Sequence, residues 1–119
     1  MLTKDSITKL LKEADELLSR GDVVQASEKY YKAAEESIKI LSLKNNVSVV
    51  RRVKSLNHWT SKLYFEAVSE LEKFYSSISS LWLSAWILHI EGFHEVNLSQ
   101  DQVRLLREDV IRLVNLALV

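Results

Sequence analysis

The sequence contains no cysteine, no proline and only two glycines, Gly21 and Gly92. Without cysteine there is no disulfide, no thiolate nucleophile and no cysteine-ligated zinc. Absent thiols suit a reducing compartment, so a cytoplasmic location is expected. Strand-rich folds need many tight turns, and tight turns draw on glycine and proline. Their scarcity points to a few long helices. An excess of one charge is also missing, since 16 Lys and Arg balance 16 Asp and Glu. A dedicated non-specific nucleic-acid binder would be strongly basic, so strong binding of that kind is not expected. No apolar run reaches the roughly 20 residues of a membrane span. The longest, residues 78–90, is interrupted by His89, and no membrane association is expected. The first residues show no apolar run or cleavage pattern, so no signal peptide is expected. Glycine-rich phosphate loops, dinucleotide fingerprints and serine-nucleophile motifs are missing as well, which disfavours the common enzyme classes. No cofactor is called for.

What is present fits one helical domain spanning residues 1–119, with 47% hydrophobic residues to build a core. Ile7, Leu10, Leu11, Ala14, Leu17 and Leu18 fall on one face of a first helix. It begins at Thr3 or Asp5, and Gly21 and Asp22 end it and cap the next. A second helix, over about residues 23–41, puts Val23, Ala26, Tyr30, Ala33, Ala34, Ser37 and Leu41 inward, making an antiparallel hairpin with the first. That hairpin has the spacing of a tetratricopeptide unit, but the period does not continue, because Ser55 stands where a second turn glycine would fall. Asn45-Asn46 marks a turn. Residues 49–58 read equally as a short helix or an ordered loop. A third helix then runs from Trp59 or Thr60 to about Ser77. The most apolar stretch, residues 81–91, reads as a buried central helix that stops at Gly92. Ser99 and Gln102 form a capping-box pattern that opens the last helix. The expected fold is an all-α up-and-down bundle of about five helices.

Two stretches go beyond generic helix. They are Gly21-Asp-Val-Val-Gln-Ala-Ser-Glu-Lys-Tyr-Tyr-Lys-Ala-Ala-Glu-Glu36 and Leu88-His-Ile-Glu-Gly-Phe-His-Glu95. With Trp59-Thr60 between them, they resemble the archaeal PaREP family over nearly the whole chain. That family is similar to the HEPN helical superfamily, which includes ribonuclease toxins and substrate-binding partners of nucleotidyltransferases. The resemblance implies an HEPN-like bundle. In HEPN nucleases an Arg precedes a His by four to six intervening residues. Arg52 and His58 match that spacing, with Arg51 one residue earlier, but Val53 stands where those nucleases usually carry Asn, Asp or His.

The chemistry-bearing residues form four groups. Arg51, Arg52, Lys54 and His58 beside Trp59 suit a phosphate, with a guanidinium to stabilise charge and a histidine to move a proton; a solvated charge run is the favoured alternative. His89, His94 and Glu95 suit acid–base work or a metal. Histidines five apart on an α-helix sit about 140° apart, so Gly92 would have to bend the chain to unite them. The plainer reading makes His89 part of a packed stripe and His94 a helix-end cation. Trp59, Trp82 and Trp86 could stack on a flat ligand, but at helical spacing they read as core. Glu35 reads as an exposed i, i+4 partner of Lys39, with Asp15 and Glu16 likewise at the surface.

The functional expectation is a non-enzymatic binding or assembly module, and the HEPN resemblance implies a protein partner or a nucleotide-containing ligand as its target. Its binding residues are drawn from Arg51, Trp59, His89, His94 and Glu95. The alternative is a metal-independent RNA-cleaving nuclease using Arg52 and His58 as catalytic residues. A weaker alternative is a metal at His89, His94 and Glu95. Residues 110–119 are nearly all apolar, and a homodimer is expected to cover them.

Overall fold

The computed structural model describes residues 4–119. Among the described residues all regular structure is helical, as expected. The order is α1 (Lys4–Ser19), α2 (Val23–Lys44), α3 (Val49–Leu56), α4 (Ser61–Leu71), α5 (Ile78–Ile87), a π-helical turn (Leu88–His94) and α6 (Gln100–Leu118). No helix among these residues is long and apolar enough to cross a membrane.

Helix boundaries follow local chemistry. The expected start at Thr3 lies outside the described residues, while Asp5 falls in the first turn of α1. Gly21 takes a left-handed φ of +82°, a conformation that a side chain would strain. The Asp22 carboxylate then accepts the Gln25 N–H at 3.1 Å, so one short turn closes the α1–α2 hairpin. Thr60 caps α4 through the Leu63 N–H at 3.2 Å. Ser99 and Gln102 make the reciprocal capping box at the head of α6, at 3.1 and 2.8 Å.

The ambiguous segment 49–58 is a helix for eight residues. Its free N-terminal donors are met from outside by Glu70 on α4. That carboxylate accepts the Ser48 N–H at 2.9 Å, the Ser48 hydroxyl at 3.0 Å and the Val49 N–H at 3.3 Å. Burial pushes Glu70 up, but these hydrogen bonds outweigh it and hold the carboxyl below its usual range. Asn57, left-handed at φ 62°, ends α3. The helix expected to reach Ser77 stops at Leu71. A tight turn, with the Phe74 N–H on the Leu71 carbonyl at 2.9 Å, swings Phe74 out of the buried stripe into solvent.

The element that touches every other is α2. Its Ala26, Ala33 and Ala34 are fully buried, and such short side chains let neighbours pack close to its backbone. The 81–91 segment is buried on the side carrying Leu81, Trp82, Ala85 and Leu88. Its opposite side is open, with Leu83 50% and Ile87 40% exposed. Gly92 does not stop the segment, which continues through it as the π-helical turn. The C-terminal stretch is largely covered by the chain itself: Val110, Leu113, Val114 and Ala117 are buried, and Ile111, Leu116 and Leu118 are half-buried. The premise on which a homodimer was expected is therefore removed.

One polar network ties three helices. Arg107 on α6 donates to both Asp15 oxygens on α1, at 2.7 and 3.0 Å, and the Tyr30 hydroxyl of α2 donates to the same carboxylate. Burial alone would raise the Asp15 pKa, but hydrogen bonds from Arg107 and Tyr30 reverse that and hold it below its usual value of 3.8. A depressed carboxylate adds stability above its unfolded pKa and loses it as pH falls through the folded value. Asp15 is 44% exposed at its side chain, so solvent screening limits the contribution. Replacing Arg107 by Met is expected to cost about 1 kcal/mol at neutral pH. In urea denaturation the gap between wild type and Arg107→Met should shrink below about pH 4; a constant gap would show that the pair adds nothing through charge.

Candidate functional site

The π-helical turn lies directly on α2. A Cβ on Gly92 would sit 2.3 Å from the Ser27 Oγ and 2.6 Å from the Ser27 Cβ, so only glycine allows this approach. The turn is wound one residue wider than an α-helix. The Glu95 N–H reaches back five residues to the Ile90 carbonyl at 2.8 Å, and the Asn97 N–H reaches the Glu91 carbonyl at 2.7 Å. Under i→i+5 winding, residues five apart come onto one face. His89 and His94 consequently meet, with their Nε2 atoms 3.2 Å apart and their rings edge to face.

His89 is held from several sides. Its Nδ1 lies 2.9 Å from the Glu28 carboxylate of α2. The Tyr31 ring stacks on it at 4.2 Å with an 18° tilt, and Phe93 lies near-parallel at 6.3 Å. Trp86 leans in at 5.4 Å. A carboxylate only accepts, so the contact with Glu28 places a proton on Nδ1. In the neutral ring the Nε2 lone pair then faces the His94 Nε2, which donates to it in the tautomer protonated at that atom. The plainer expectation for His89, packed in an aromatic stripe and bonded to a carboxylate, describes this ring well.

Glu35, about two turns beyond Glu28, belongs to the same face of α2. Burial pushes its carboxyl up, and hydrogen bonding from the Tyr31 hydroxyl and the charge of Lys39 offset this only in part. Burial likewise raises the Tyr31 hydroxyl, reinforced by Glu35 and Glu28. The expected Glu35–Lys39 surface pair is corrected here: the Lys39 ammonium bonds Glu36 at 3.0 Å, while Glu35 bonds Tyr31. Asp15 also proves to be tied to Arg107 and Tyr30 rather than merely solvated.

Glu95 follows the turn and is exposed. Among the described residues no group of three or more His, Cys, Asp or Glu comes together to hold a metal, so the trio His89, His94 and Glu95 is not assembled. Trp82 is buried and Trp86 half-buried in an aromatic cluster with Tyr31 and Phe65, in keeping with a core role.

The second region surrounds α3. Arg51, Arg52 and His58 are exposed. Arg52 pairs with Glu66 on α4, and the His58 Nδ1 lies 2.9 Å from the Leu56 carbonyl. Among the described residues no hydrogen bond joins Arg52 to His58. Trp59 turns inward and stacks on Tyr64 at 4.9 Å with a 27° tilt. It forms one wall of a cleft of about 240 Å³, completed by Lys39, Leu43, Val50, Val53 and Lys54. Sequence reading missed Glu28 and Tyr31 as site residues. Their signal was the i, i+3, i+7 spacing of residues 28, 31 and 35, which puts three titratable groups on one helix face.

The archaeal PaREP1/PaREP8 family profile matches residues 3–114, and the chain belongs to that family. A crystal structure of a Sulfolobus solfataricus protein is similar, with 46% identity and a TM-score of 0.89 over 98% of this chain and 95% of that one. A solution structure of the same structural-genomics target has 48% identity and a TM-score of 0.84, over 94% and 88% of the two chains. No curated protein matches the chain.

Two outcomes test this geometry. Gly92→Ala should cost about 1–3 kcal/mol, because the Ser27 Cβ as well as its hydroxyl blocks the added methyl. The same change should move the His89 and His94 ring resonances; unchanged stability and spectra would mean the turn can lift freely from α2. For Glu35 the sign is opposite to that of Asp15. A raised carboxyl favours the folded state below its unfolded pKa near 4.5 and loses that contribution as pH rises through the folded value. Glu35→Gln should therefore gain in melting temperature relative to wild type between pH 4 and pH 7. A difference that stays flat across that range would refute the shift.

Proposed function

We propose that this member of the archaeal PaREP1/PaREP8 family is a non-enzymatic binding module whose ligand seat is the cleft between α2 and α3. The observation that carries this reading is the composition of the cleft. Trp59 supplies a flat aromatic wall, Leu43, Val50 and Val53 supply apolar contact, and Lys39 and Lys54 supply positive charge. A ring stacks on the indole and an anionic group pairs with the ammonium groups. Arg51, one turn before Lys54 on α3, adds charge outside the cleft. Drug-sized pockets run to roughly 300–1,000 Å³, so this seat suits a single ring system with its anion at the rim. A mononucleotide has that chemistry, in line with one of the two targets that the HEPN resemblance implies.

The HEPN-type nuclease reading has less support. Arg52 is already paired with Glu66, and the His58 Nδ1 is engaged by a backbone carbonyl. The assembly reading has support of its own, because Phe65, Leu83 and Ile87 form an exposed apolar face on α4 and α5 beside Trp86. We place any protein contact there rather than on α6.

Calorimetric titration with adenosine and guanosine monophosphates tests the proposal. Wild-type protein should bind one of them, and Trp59→Ala or Lys54→Glu should weaken binding at least about tenfold, since an aromatic–base stack is worth about 1–3 kcal/mol. No uptake of either nucleotide, or uptake indifferent to both substitutions, rejects the cleft. Clean protein should leave single-stranded RNA intact. Cleavage that disappears in both Arg52→Ala and His58→Ala would replace this reading with the nuclease.

A further inference from the structure

The paired imidazoles of the π-helical turn stand apart from the α2–α3 cleft and carry a chemistry of their own. The geometry points to a two-histidine site for a divalent transition metal of the zinc, cobalt or nickel type. It is formed by the Nε2 atoms of His89 and His94 and oriented by Glu28.

The distance is the first argument. Two ring nitrogens bound to one tetrahedral zinc, each at about 2.0–2.1 Å, lie roughly 3.3–3.4 Å apart. The two Nε2 atoms already lie 3.2 Å apart, so the backbone need not move to bring them to that spacing. The second argument is the partner of the first ligand. A metal-bound histidine commonly donates its other ring N–H to a carboxylate, which fixes the tautomer and raises ligand basicity. Glu28 stands 2.9 Å from the His89 Nδ1, in that position, and leaves Nε2 with its lone pair outward. The third is rigidity. Tyr31 and Phe93 lie near-parallel to the His89 ring, so little orientational freedom remains to be lost on binding.

His94 is the adjustable member. Its side chain is exposed, and in the tautomer protonated at Nε2 its N–H bridges the two rings. On binding, that proton shifts to Nδ1 by way of solvent, so the ring stays neutral and frees its Nε2 lone pair. The ring turns so that its Nε2 lone pair meets the metal beside that of His89. No third His, Cys, Asp or Glu completes the set among the described residues, so water or an exogenous ligand fills the remaining positions. Glu95 takes no part. Imidazole donors favour zinc, cobalt, nickel and copper over magnesium and calcium, whose ligands are oxygens.

The test is titration of the metal-free full-length protein with Co²⁺ at neutral pH, read by visible absorption and isothermal calorimetry and followed by Zn²⁺ competition. One Co²⁺ per chain is expected, displaced by Zn²⁺ and not by Mg²⁺. His94→Gln should abolish uptake while its metal-free melting temperature and far-ultraviolet dichroism match wild type. Glu28→Gln should weaken binding about 10–100-fold, as loss of a supporting carboxylate does. Failure of wild type to take up stoichiometric Co²⁺, or undiminished uptake by His94→Gln, overturns the site. Nucleotide binding at the α2–α3 cleft should be unaffected by His94→Gln, so the two sites stand or fall separately.

Discussion

The contact between Gly92 and Ser27 is the constraint on which the functional end of this molecule depends. There the backbone of the π-helical turn is seated against α2 with no room for a single methyl group. That seating brings Glu28 and Tyr31 within reach of His89. The wider winding of the same turn brings His94 round to the same face. A regular α-helix through residues 88–94 would point the two imidazoles in different directions, and a bulkier residue at position 92 would lift both away from Glu28. Backbone proximity and ring geometry are thus one arrangement seen at two scales.

The rest of the fold supplies the platform. Small residues along α2 let its neighbours approach closely, and α2 therefore collects contacts from every other element. Charged residues then fix the relative placement of helices distant in sequence. Asp15, Tyr30 and Arg107 join α1, α2 and α6, and Glu70 supplies the N-terminal cap that α3 cannot supply for itself. The second of these matters for the cleft, because α3 carries Val50, Val53 and Lys54 into its wall. A short helix with three cationic side chains would be marginal alone. Its position rests on Glu70 and on Val49 and Val50 in the core.

The two motif stretches, residues 21–36 and 88–95, meet in space. Ser27, Glu28 and Tyr31 come from one, and His89, Gly92 and His94 from the other. A packed hairpin explains the alanines of the first stretch, but it requires neither Glu28 nor the inward turn of Glu35. The solved Sulfolobus structures share this architecture over almost the full chain.

The sequence by itself determined the all-α class, the α1–α2 hairpin with Gly21 at its turn, the caps at Asp22 and Ser99, and most of the buried stripe. These depend on periodicity and on contacts within a few residues, which a linear pattern records directly. The tertiary structure alone decided the rest. Helical spacing implied burial around the whole of segment 81–91, but Leu83 and Ile87 meet solvent because no element lies over that side. Charge and spacing put Glu35 at the surface with Lys39, whereas burial and a hydrogen bond with the Tyr31 hydroxyl turned it inward. Above all, a five-residue separation argued against joining His89 and His94. Only the π winding reversed that, and it is held by Gly92 against Ser27, 65 positions away in the chain.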